Sequence, residues 1–155
     1  MSAGTVVSIN IARVASGPME QLAEVKAVAG RGLEGDRYFN KEGSFSETPG
    51  SGREVTLIES EQIELVEREH GIRLTPGDSR RNITTRGISL NDLVDKELRV
   101  GAVVLRGTRL CEPCEYLQGK IGQDGALKAL MHRAGLRCDI VSGGTIHVGD
   151  EIAAL

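Results

Sequence analysis

"KELRVGAVVLRGTRL", Lys96–Leu110, reads as two strands folded about Gly101. Its short apolar runs are rich in valine, which favours a pleated backbone, and a glycine stands where the chain must turn. The second strand ends on a cysteine pair, Cys111 and Cys114, in "TRLCEPCEYLQGK" (Thr108–Lys120). The segments on either side decide whether this hairpin belongs to a β fold or to an alternating β-α fold.

Upstream, "TVVSINIARV" (Thr5–Val14) is β-branched, and Val7, Ile9 and Ile11 alternate with Ser8, Asn10 and Ala12, which predicts a strand with one buried face. Gly17-Pro18 supplies a turn, and "AEVKAVAG" (Ala23–Gly30) predicts a second strand in which Val25 and Val28 break strict alternation. A polar loop of Lys41–Arg53 precedes another strand, "EVTLIE" (Glu54–Glu59). Ser60 is placed to cap a helix, "EQIELVEREHG", whose narrow apolar stripe is Ile63 and Val66 and whose stop is Gly71. Asn82–Arg86 predicts one more strand. Beyond the cysteines, Asp124 is placed to cap a helix with Leu127, Leu130, Met131 and Ala134 on one face. "LRCDIVSGGTIHVGDEIAAL" (Leu136–Leu155) predicts a hairpin turning at Gly143-Gly144, with Ile146 and Val148 alternating against His147. No β-α alternation runs through the chain. The pattern predicts a single domain over residues 1–155, mainly β with minor α. The architecture expected is a closed or nearly closed β-barrel decorated by two or three short helices.

Composition agrees with that class. Twenty glycines accompany only 3% aromatic residues and no Trp, so Val, Ile, Leu and Ala must fill the core. A net charge of −3 gives no global footprint for nucleic acid or an anionic membrane surface. No apolar run reaches the length of a membrane span, and the N-terminus lacks the basic and apolar regions of a signal peptide. Three cysteines, an odd number, argue against a disulfide framework and for a reducing cytoplasm.

The cysteine pair admits several chemistries. A closed zinc site wants four ligands, and neither Cys138 nor His70, His132 and His147 forms a second pair at ligand spacing. A dithiol oxidoreductase would want a β-α-β setting that the chain lacks. Cys138, alone in "LRCDIV", reads as a buried small hydrophobe. A small zinc-stabilised or thiol-redox interaction module using Cys111 and Cys114 stays open. Position favours Cys114 as the reactive thiol, because it falls past the strand end where Cys111 sits. Arg80, Arg81 and Arg86 surround Asn82; by themselves they are more simply a solvated strand edge.

Three blocks then fall in order: "GRGLEGDRYF" (Gly30–Phe39), "SRRNITTRGISLNDLVDKELRVGAVVL" (Ser79–Leu105) and "TRLCEPCEYLQ" (Thr108–Gln118). Together they resemble the MOSC domain, the family named for the C-terminal part of molybdenum cofactor sulfurases. The resemblance implies a mixed barrel-like β fold with a few helices and binding of the molybdenum cofactor (molybdopterin). It puts the family's functional cysteine on Cys114, as metal ligand or as carrier of persulfide sulfur. It puts the family's Arg-x-Asn element on Arg80 and Asn82, and its Gly-Asp-Arg on Gly35, Asp36 and Arg37. The cofactor is an anionic pterin with a phosphate, for which Arg80, Arg81 and Arg37 supply forked donors, Asn82 a pterin-edge partner and Thr108 a hydroxyl. Asp36 is expected to fix the glycine loop by pairing with Arg37. Arg109 or the arginines near residue 80 would lower the pKa of the Cys114 thiol, and Cys111 would serve as a resolving thiol or as packing. No pyridoxal phosphate domain is expected within 155 residues, so sulfur or electrons would come from a separate sulfur donor or electron-transfer protein. The chain is then either a molybdenum-dependent reductase of N-hydroxylated compounds or a sulfurtransferase component.

Overall fold

The computed structural model describes residues 3–14, 17–37, 39, 54–73, 80–111 and 135–155. The expected loop at Lys41–Arg53, the expected helix after Asp124, and Cys114 itself lie outside the described residues.

Eleven strands and one α-helix are described. In chain order they are β1 (Ala3–Ala12), β2 (Met19–Leu22), β3 (Glu24–Val28), β4 (Gly32–Leu33), β5 (Val55–Glu59), α1 (Ser60–His70), β6 (Ile83–Arg86), β7 (Glu97–Val100), β8 (Val103–Leu110), β9 (Leu136–Ser142), β10 (Gly144–His147) and β11 (Glu151–Ala154). A 3-10 turn, Leu90–Leu93, precedes β7. Seven strands follow one another around a closed barrel in the order β11, β7, β8, β9, β5, β6, β1, and β1 pairs back to β11. The fold is thus the expected mainly β closed mixed barrel. Its mixed character comes from β5 and β6, which run parallel while the other described strand pairs are antiparallel. A parallel pair needs a crossover, and α1 is part of it, burying Ile63 and Val66 as its stripe predicts. Beside the barrel lies a small sheet in the order β10, β3, β4.

The hairpin at Lys96–Leu110 forms as read. Val100 faces Val103 and Glu97 faces Arg106, with Gly101 at the turn at φ 59°. Leu98, Val100, Val103 and Leu105 are all fully buried. One transverse row of the barrel, Ile9–Ile83–Leu57–Leu136, is likewise sealed from water. Burying side chains of this size stabilises by about 1.5–3 kcal/mol each.

Several expectations need correcting. Val7 is 39% exposed, and Val6 carries the buried face instead. The β1–β6 register shifts between Val6 and Ser8, and such a bulge moves every later side chain to the other face. Past the bulge Ser8, Asn10 and Ala12 are buried along with Ile9 and Ile11, because both faces of β1 are covered there. In β3 the buried pair is Val25 and Ala27, in strict alternation, and Val28 is only half-buried. Ser60 does not cap α1. Glu59 holds the N-cap position without a side-chain bond, while the Ser60 hydroxyl meets Glu61 Oε1 at 3.4 Å. The C-terminal hairpin does not form. β9 runs between β5 and β8, whereas β10 pairs with β3 in the small sheet. Val148 lies in the turn beyond β10 and is exposed. β2, β4 and the 3-10 turn were not expected, because elements of two to four residues are too short to show a period.

Candidate functional site

The transverse row next to that core row is polar. Asn10 N–H donates to the Asn82 carbonyl at 2.7 Å, Thr56 faces Arg137, and Arg137 faces Arg109. Successive side chains of a strand point to opposite faces, so these residues lie on the face turned away from the core row. At one end of the row the side chains are nevertheless buried: Asn82 is 0% exposed and Thr56 is 4%. The Gly35–Arg37 turn reaches them through Asp36, which is bonded to Asn82. Gly35 lies at φ 89°, a region open to glycine, and a Cβ there would meet Arg13 Nη1 at 3.0 Å. Asp36 is thereby brought in, fully buried, to accept from Ala12 N–H at 3.0 Å, from Asn82 Nδ2 at 3.4 Å and from Arg37 Nη1 at 3.4 Å.

The sequence-nominated arginines gather here. Arg37, Arg80 and Arg81 are 7%, 8% and 8% exposed, so each is a buried cation rather than part of a solvated strand edge. Asp36 and Arg37 form the expected ion pair, at 3.4 Å. Arg37 Nη2 also donates to the Arg80 carbonyl at 3.5 Å, and Arg80 Nη1 donates to the Gly17 carbonyl at 2.8 Å. Arg80 itself is held at φ 58°, in the left-handed region that non-glycine residues rarely adopt. Arg81 Nη2 donates to the Cys111 carbonyl at 3.3 Å. That bond brings the Arg80–Asn82 segment to the first residue of the Cys-x-x-Cys stretch.

Asn82 is held from all sides. Its Oδ1 accepts from Thr56 N–H at 3.0 Å and from the Thr56 hydroxyl at 3.2 Å, and its Nδ2 donates to the Asn10 carbonyl at 3.1 Å. Thr108 donates its hydroxyl across the β8–β9 pair to the Arg137 carbonyl at 3.0 Å. Thr56 and Asn10 were not singled out from sequence. A threonine beside a valine run reads simply as a good strand residue, and only the register reveals its partner.

Cys111 is fully buried, and its N–H donates to the Gly135 carbonyl at 2.8 Å. Gly135 sits at φ 103° so close to Leu57 that a Cβ would meet the Leu57 carbonyl oxygen at 1.8 Å, so only glycine fits where the chain returns into β9. Cys138 is buried as expected, opposite Val55 and Gly107. Burial pushes its thiol pKa far up, with Asp139 and Cys111 adding to the effect. Neither cysteine is in a disulfide. Among the described residues no three His, Cys, Asp or Glu side chains gather in a way that could hold a metal ion, and no helix is long and apolar enough to cross a membrane.

Comparison with known proteins adds the following. The family model of the MOSC domain matches residues 44–153. The fold is similar to that of the YuaD protein from Bacillus subtilis, with a TM-score of 0.78 at 18% identity, covering 98% of this chain and 97% of that one. It is also similar to YiiM from Geobacillus stearothermophilus, with a TM-score of 0.74 at 18% identity over 98% of this chain and 75% of that one. YiiM from Escherichia coli gives a TM-score of 0.69 at 15% identity over 100% of this chain and 70% of that one. No curated protein matches the sequence.

Proposed function

The chain belongs to the MOSC domain family, and from that premise we propose that it binds an anionic molybdopterin-type cofactor beside the Cys-x-x-Cys stretch, with Cys114 as the sulfur that meets the metal or carries persulfide. The observation that carries this reading is the bond from Arg81 to the Cys111 carbonyl, because it joins a cluster of buried guanidiniums to the segment that leads to Cys114. The donor set fits the group. Arg37, Arg80 and Arg81 each offer forked N–H donors, and a phosphate accepts such forks in pairs. Partial burial strengthens that attraction, since less water screens it.

The internal bonds divide the labour. Arg81 and Arg80 are assigned to the phosphate, with Arg37 behind them. Asn82 and Thr108 are assigned to holding strands in register. When bound, the cofactor would supply a redox-active metal with dithiolene sulfur ligands. The chain's own contribution is to bind the anion, to orient it toward Cys114, and to keep that thiol as a thiolate by nearby positive charge. The reading places the protein in a reducing cytoplasm, served by a separate sulfur donor or electron-transfer protein.

The test is elemental and pterin analysis of the chain made in a cofactor-competent host. Molybdenum and pterin should accompany the parent and fall by about tenfold or more in Arg81→Ala, which loses a charge-assisted bond, and in Cys114→Ala. A parent free of pterin, or a Cys114→Ala variant that keeps its molybdenum while the parent carries no persulfide, defeats the reading. Intact-mass analysis then separates its two forms. A reductant-sensitive gain of one sulfur on Cys114 marks a carrier. Oxidation of a reduced dye by an N-hydroxylated base marks a reductase.

A further inference from the structure

The bonds around Asp36 close on themselves. Asp36 Oδ1 accepts from Arg37 Nη1, Arg37 Nη2 donates to the Arg80 carbonyl, the backbone runs on through Arg81 to Asn82, and Asn82 Nδ2 returns to Asp36 Oδ1. Ala12 N–H, also on Asp36 Oδ1, fixes this ring to the end of β1, and Thr56 fixes it to β5 through two bonds to Asn82 Oδ1. The ring encloses a backbone that would not choose its own shape, since Arg80 sits at φ 58°. Two side chains leave it: Arg80 toward the Gly17 carbonyl and Arg81 toward the Cys111 carbonyl.

We propose that Asp36 is a positioning residue: through this ring it holds the Arg80 bend left-handed and so aims Arg81 at the Cys111 carbonyl, with Asn82 and Thr56 as the clasp. Asp36 is fully buried and is bonded to Arg37 and to Asn82, and through these its effect reaches Arg81. A buried carboxylate held by several donors over-determines the conformation around it, which is how a strained residue persists at a functional site. The consequence for ligand binding rests on the cofactor reading above, whereas the ring and its effect on Arg81 do not.

The test uses the ligand-free full chain. Asp36→Asn keeps the side chain's size and an acceptor oxygen but removes the charge that holds Arg37. Thr56→Val removes the clasp hydroxyl, and Thr56→Ser restores it. NMR reads two things: the exchange rate of the Arg81 guanidinium protons, and the strong intraresidue HN–Hα signal that marks a positive φ at Arg80. Asp36→Asn and Thr56→Val should speed Arg81 exchange by about tenfold, the scale of one lost charge-assisted bond, and weaken the Arg80 signal. Thr56→Ser should match the parent. A folded Asp36→Asn with both signals unchanged overturns the proposal. If that variant does not fold, unchanged signals in Thr56→Val overturn it equally.

A titration with inorganic phosphate adds the coupling. Arg81→Ala and Asp36→Asn should each weaken binding, and the double variant should bind no more weakly than Arg81→Ala alone. Additive losses would make Asp36 merely structural and overturn the proposal. A parent that ignores phosphate would count against the cofactor reading, while the two NMR signals would still decide the ring.

Discussion

Asn82 shows how a residue recognisable in sequence gains partners that only three dimensions reveal. Its amide joins Thr56, Asn10 and Asp36 in a fully buried setting. Asn82→Ala should therefore destabilise the protein by roughly 3 kcal/mol, because several buried partners lose their bonds at once. Chemical denaturation checks this, and a loss below about 1 kcal/mol would mean that the network relaxes around the gap. The arginines could be nominated from sequence because three of them crowd one asparagine. The burial of Arg80 and Arg81 could not, since a run of charge ordinarily lies in water, as Arg86 does. The contact from Arg81 to Cys111 was equally out of reach, as nothing local links residues 30 positions apart. Cys138 was legible, being a lone cysteine in an apolar run. Its raised thiol pKa predicts that iodoacetamide at pH 8 leaves Cys138 unlabelled in the folded protein, and peptide mapping reads the outcome.

At the scale of elements, strands were easier to place than their partners. The β7–β8 hairpin was legible because a short turn leaves little choice of neighbour. The β9–β10 pair was misread because Gly143 and Gly144 carry the chain from the barrel into the small sheet instead of folding it back. Glu54, just ahead of β5, helps to hold that junction. One carboxylate oxygen accepts from Gly30 N–H at 3.1 Å, beyond β3, and from Ile140 N–H at 3.0 Å, in β9. Burial raises its pKa, and the charge of Asp139 adds to this, so the folded state favours the protonated form more than the unfolded chain does. The folded state then binds more protons, and stability contributed by this group falls as pH rises from the ordinary carboxylate range through the raised value. Glu54→Gln keeps an acceptor and removes the charge, so the variant's melting temperature should decline less over that interval than the parent's. Parallel curves for the two proteins would discard this assignment. Gly135→Ala should cost at least about 2 kcal/mol, because its Cβ must displace the backbone of β5. The same change should disturb the Cys111 N–H bond to residue 135, visible as faster amide exchange at Cys111.

For the whole molecule the decisive contact is the pairing of β1 with β11, which sets Ala3 against Ala153 and closes the barrel. Closing so long a loop carries a large entropy cost before any bond repays it, and such topologies fold slowly. Refolding from denaturant should fall in the range of about milliseconds to seconds, with a single cooperative transition, and removing residues 151–155 should abolish that cooperativity. Stopped-flow fluorescence of an introduced tryptophan would measure the rate; microsecond folding, or a truncated chain that melts as sharply as the parent, would contradict this. The sequence by itself determined the strand-rich class, the hairpin about Gly101, the apolar stripe of α1 and the residue types at the site, because period, turn chemistry and composition are local properties of the chain. Only the tertiary structure decided which strands are neighbours, where the bulge in β1 reverses its faces, and that Arg37, Arg80 and Arg81 are buried around Asp36 and Asn82. Those outcomes depend on pairings between distant segments, whose energies no local window of sequence contains.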